Sequence, residues 1–119
     1  MSKLNEGEVE ITLNGTPRVL RPTLNAMQAL SRSHNGLAGV RDALVRQDVD
    51  AVCNVLFHGM NLKESDRKDL PKAVWKNGIT GELLISLIKY VAILGNGGKP
   101  LEESEDGDGE AAEAGEGNL

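Results

Sequence analysis

Glu8-Val9-Glu10-Ile11-Thr12-Leu13-Asn14-Gly15-Thr16-Pro17-Arg18-Val19-Leu20-Arg21-Pro22-Thr23 is the stretch on which the fold turns. From Glu8 to Leu13 polar and apolar residues alternate, which puts Val9, Ile11 and Leu13 on one face of an extended segment. Asn14-Gly15 then supplies two residues that tolerate positive φ, the requirement of a type I′ turn, and Thr16 to Arg21 returns as a second strand. Pro17 has no N–H to donate to a ladder, so it belongs at the start or on the outward side of that strand. The Asn14-Gly15-Thr16 sequon reads as this turn.

Helices follow. Thr23 is a competent N-cap for a helix carrying Leu24, Met27, Ala29 and Leu30, which Asn35-Gly36 stops. Leu37, Val40, Ala43 and Leu44 form the stripe of a second helix, running to about Arg46, with Gly39 as a weak point inside it. Asp48 caps a third through about His58, with Val49, Val52, Cys53 and Leu56 as its buried face and Gly59 as its end. Ser65 or Asp66 starts a turn of helix, and Pro71 fits only in the first turn of a short helix over Leu70 to Asn77. The strongest helical signal is Leu83, Leu84, Leu87, Ile88, Val91 and Leu94, widened by Ile85 and Ile93.

At Gly95 the composition changes. Eight acids from Glu102 to Glu116 face Lys99 alone, about −7, while the ten acids and twelve bases before that point leave a balance near +2. With almost no large apolar residue, the segment 95–119 cannot offset the entropy of ordering and is expected to be a disordered acidic tail that solvates the chain. The expected class is therefore α+β, mainly α: an N-terminal β-hairpin and a small bundle of about four to five helices over residues 1–94, then the tail.

The near-neutral body and the three aromatics, Phe57, Trp75 and Tyr90, offer no concentrated basic face for nucleic acid. Cys53, the sole cysteine, rules out a disulfide within the chain and reads as a reduced, buried thiol. No stretch has the length of a secretory signal core or a membrane span, so a cytoplasmic protein without membrane contact is expected. His34 and His58 stand far apart with no ligand cluster at metal spacing and no nucleophile setting nearby, so no catalytic residue, metal or cofactor is expected. Gly95-Asn96-Gly97-Gly98-Lys99-Pro100 has glycines and a lysine like a phosphate loop, but Pro100 follows the lysine and no helix comes after it; a helix stop is the better reading. Asp106-Gly107-Asp108-Gly109-Glu110 lacks the ligand pattern of a calcium loop.

Gly7 to Gly15, then Val19-Leu20-Arg21-Pro22-Thr23, then the helix opening Leu24 to Leu30, together resemble the gene-transfer-agent and phage family of small tail assembly chaperones, also known under a tail-tube label. The resemblance covers roughly residues 6 to 60. It implies a non-enzymatic helper that holds the long, aggregation-prone tape measure protein, and also meets the tail tube protein, during tail assembly. Leu83, Leu87, Ile88 and Val91 are the candidate partner-binding residues, because the apolar arc of the last helix is broad enough to call for a partner or self-association as well as for core packing. A structural subunit of the tail is the alternative, and a small regulatory adaptor a more distant one.

Overall fold

The computed structural model describes residues 4–101. Two strands, β1 (Val9–Leu13) and β2 (Thr16–Leu20), are followed by α1 (Leu24–Ser33), α2 (Leu37–Val45), α3 (Val49–Gly59), α4 (Glu64–Arg67), α5 (Leu70–Asn77) and α6 (Gly81–Gly95). The architecture is the expected one, a hairpin leading into a helical bundle, with α4 a single turn beside five longer helices. Of the tail expected over 95–119, residues 95–101 are described, Gly95 closing α6 and Gly97 and Gly98 folding back on its end, so the ordered part runs past the expected boundary at Leu94; residues 102–119 lie outside the described residues.

The hairpin forms as its alternation dictates. Val9 pairs with Leu20 and Leu13 with Thr16 in antiparallel register, and Val9, Ile11 and Leu13 are buried while Glu10 and Thr12 face solvent. Asn14 and Gly15 have φ of 53° and 80°, the two positive angles of a type I′ turn. Pro17 lies exposed opposite Thr12. The turn is also tied to the helices: Asn14 N–H donates to Asn77 Oδ1 at 2.8 Å, and Asn14 Nδ2 donates to the Ala73 carbonyl at 3.2 Å. Both acceptors are on α5, so the hairpin tip fixes where that helix lies.

Arg21-Pro22-Thr23 joins the two halves. Arg21 N–H donates to the Gly59 carbonyl at 2.9 Å, the Tyr90 hydroxyl donates to the Arg21 carbonyl at 2.6 Å, and Thr23 Oγ1 accepts from Ala26 N–H at 3.0 Å. One short segment thus ends β2, caps α1 and binds the end of α3 to α6. Replacing Thr23 by Ala leaves the Ala26 N–H without its acceptor and is expected to cost about 1 kcal/mol, read as a lower urea midpoint at unchanged slope.

Helices α3 and α6 run through the core. Ala51, Val52, Cys53, Val55, Leu56 and Phe57 of α3 are all buried, as are Leu83, Leu87, Tyr90, Val91, Ile93 and Leu94 of α6. The wide apolar arc of α6 has its explanation here: β1, α1, α2 and α3 all pack on it, so one helix needs apolar residues in several directions. The glycine-rich stop after it is also real, since Gly97 and Gly98 take φ of 76° and 77° and Gly98 N–H donates to the Ile93 carbonyl at 2.9 Å.

Gly59 ends α3 as expected, with Met60 as the C-cap, and it is also a point of close packing. A Cβ there would come within 2.9 Å of Leu20 Cδ2 and 3.4 Å of Tyr90 Cε2. Val49 lies on the side of α3 that periodicity assigns it, yet it is 46% exposed, because at the first position of the helix it overhangs the end of the core.

Candidate functional site

The residues offered from the sequence as a partner surface do not lie on the surface. Leu83, Leu87 and Val91 are buried and Ile88 is half-buried against the same core. Of the apolar arc of α6 only Ile85 projects well into solvent. A partner could use Leu83, Leu87 or Val91 only if α6 left the domain.

A different apolar surface is open. Trp75, the sole tryptophan of the chain, is 86% exposed. The reason is local: α5 turns Leu70, Ala73 and Val74 toward the core, and Trp75, one position past Val74, is carried off that stripe. Pro71, one turn before Trp75, is exposed beside it. Together with Val49, the buried Val74 and the half-buried Ile79, they line a groove of about 410 Å³ between the start of α3 and α5, closed at its edges by Gln47 and Gly78. Gly78 terminates α5 with φ of 84° and donates its N–H to the Val74 carbonyl at 2.8 Å, which holds the edge of the groove in place.

A tryptophan presents about 200 Å² of side-chain surface. Covering it is worth of the order of 5 kcal/mol before the costs of association are subtracted. An exposed tryptophan between exposed Pro71 and Val49 is therefore the strongest binding feature of the described surface. It was the residue that sequence reasoning missed. The signal was present, since Trp75 falls outside the Leu70, Ala73, Val74 spacing, but an exposed position on a short helix is decided by what packs nearby.

The titratable groups have structural settings. Burial first, and then the Arg67 charge, lower the pKa of His58, whose ring meets Phe57 edge-on at 5.0 Å. Arg67 lies 3.9 Å over the Phe57 ring and donates to Asn54 Oδ1 at 2.9 Å. A histidine held below its ordinary value stabilises the fold where it is neutral, and that contribution is lost as pH falls below about 6.5, where the unfolded chain takes up the proton first. The variant His58→Gln should flatten this part of the stability profile, measured by urea unfolding between neutral and mildly acidic pH.

Burial raises the Cys53 thiol, consistent with an inert core cysteine. His34 shares a 2.8 Å hydrogen bond with Ser33 Oγ at the end of α1. The Asn5 backbone N–H, and secondarily its side chain and Arg21, hold Glu8 below the ordinary carboxylate range. A polar depression between β1 and α6 contains the exposed carboxylates Glu10 and Glu82 beside Thr12 and Ser86, solvated surface rather than a shielded pair. Among the described residues no group of three or more His, Cys, Asp or Glu is placed to hold a metal ion, and no helix is long and apolar enough to cross a membrane.

Comparison of the sequence with protein-family models and with curated proteins, and of the fold with solved structures, finds no match.

Proposed function

We propose that this protein is a non-enzymatic tail assembly chaperone of a phage, prophage or gene transfer agent, acting in the cytoplasm on the tape measure protein. The observation that carries a binding role is the Trp75 groove, a concavity lined by exposed apolar side chains on a small domain. A long partner made of amphipathic helices exposes apolar stripes that self-associate, and a small domain that covers one stripe reversibly keeps such a partner in solution. The class of partner comes from the likeness of the hairpin and the Arg21-Pro22-Thr23 helix start to the tail assembly chaperones. That segment is also where the fold is keyed together, through Gly59, Tyr90 and the α1 cap, so the likeness rests on residues that determine the architecture.

Co-expression with a phage-type tape measure protein tests this. The partner should stay soluble and co-purify with the full chain, and mass spectrometry of finished particles should find the chain depleted. Failure to co-purify removes the chaperone reading. Retention in particles at the level of a tail protein would make the chain a structural subunit instead.

A further inference from the structure

Charge is not spread evenly around the Trp75 groove. Lys72 and Lys76 are exposed on α5, four residues apart and thus on one side of the helix. Lys68 continues the row, because Lys68 and Asp69 both keep near-helical backbone angles across the break between α4 and α5. The acids of this region lie elsewhere. Asp66 and Asp69 border the depression toward Leu13 and Arg18, away from the groove, and the Asp48 carboxylate accepts from Ala51 N–H at 3.2 Å as the cap of α3. Asp50 is exposed beside Val49. Beside the groove, then, the α5 side carries a row of three lysines, whereas the α3 side carries both signs, Asp50 next to Val49 and the exposed Arg46 next to Gln47.

We infer that the groove takes a partner helix whose apolar stripe is bordered by Asp or Glu on one flank, with the stripe against Trp75 and Val49 and the acids over Lys68, Lys72 and Lys76. This deepens the chaperone reading and rests on it for the partner's identity, not for the chemistry. Charge complementarity favours one orientation: acids over the single-sign lysine row of α5 are attracted, whereas the α3 side, with both Arg46 and Asp50, offers no such row. The chain's own residues 102–119 fit the groove poorly, since they carry eight acids but only Leu119 as a large apolar residue. A second copy fits no better, for its exposed Leu24, Val45 and Ile85 stand on three different helices and form no single stripe, and Ile85 has both Glu82 and Lys89 about one turn away.

Because Trp75 is the sole tryptophan, its emission reports on the groove directly. The probes are two synthetic amphipathic peptides with identical leucine stripes, one flanked by Glu and one by Lys. Added to the full chain, the Glu peptide should shift Trp75 emission to the blue and bind about tenfold or more tightly than the Lys peptide, with affinity falling as salt rises. The double substitution Lys72→Glu, Lys76→Glu should reverse the preference; both side chains are exposed, and circular dichroism checks that the fold is kept.

Equal binding of the two peptides, or no response of Trp75 to either, overturns the inference. So does an emission shift with protein concentration alone, which would seat a second copy in the groove. A different emission in a chain ending at Leu101 would also overturn it, by seating the chain's own tail there. The outcomes separate from those of co-expression: silent peptides with a co-purifying tape measure protein sink this groove only, whereas peptide binding without co-purification sinks the chaperone reading only.

Discussion

Tyr90→Ala is expected to lower the free energy of unfolding by about 3–5 kcal/mol, the range for removing a large aromatic ring from a packed core. Tyr90→Phe should cost about 1–3 kcal/mol, because the Arg21 carbonyl loses its donor while the packing stays. Tyr90 is fully buried, its hydroxyl donates to the Arg21 carbonyl at 2.6 Å, and its ring sits against Gly59. Burial holds the hydroxyl well above the ordinary phenol value, so it remains a donor throughout the usual pH range. A domain of this size has about 5–15 kcal/mol of stability in total, so the alanine variant should be close to unfolded at room temperature. Urea unfolding followed by circular dichroism checks both. Tryptophan emission is a poor reporter here because Trp75 is already exposed in the folded state. If Tyr90→Phe matches the unsubstituted chain, the hydroxyl is not what joins α6 to the hairpin.

Gly39→Ala is the second, and its sign is the informative part. Helix propensity alone says that alanine inside a helix improves on glycine by about 1 kcal/mol. The packing says the reverse, since a Cβ on Gly39 would collide with the backbone carbonyl of His34. That carbonyl belongs to the C-cap of α1 and cannot swing aside as a side chain could. The connection between α1 and α2 would have to open, and Asn35 and Gly36 already hold it in positive φ of 60° and 99°. A loss of about 2–3 kcal/mol is expected, typical of overpacking against a part that cannot yield. The urea midpoint decides between the two signs, and a gain in stability would show that the α1–α2 turn is free to relax.

These two positions show where sequence and structure part company. Gly39 could be read only as a weak residue in a helix, because its value depends on a carbonyl five residues earlier folded back against it. Gly59 was legible as the end of α3, but its close packing against Leu20 and Tyr90 depends on elements far away in the chain. The stripe Leu83, Leu87, Ile88, Val91 looked as suited to a partner as to a core, since periodicity measures the width of an apolar face but not what lies on it. Four elements pack on α6, and the face is taken. Trp75 carries the opposite lesson: a residue normally counted toward a core was left in solvent because α5 buries only a narrow strip.

What the sequence determined by itself is local. Alternation from Val9 to Leu13, the Asn14-Gly15 turn, the Thr23 and Asp48 caps and the tolerance of Pro71 in a first helical turn each depend on neighbours within a few residues, and each is realised. The tertiary structure decided which apolar residues are spare. Burial is shared among segments distant in the chain, so only the assembled domain reveals that α6 is covered and that Trp75, Pro71 and Val49 are left to form an open groove with a row of lysines along its edge.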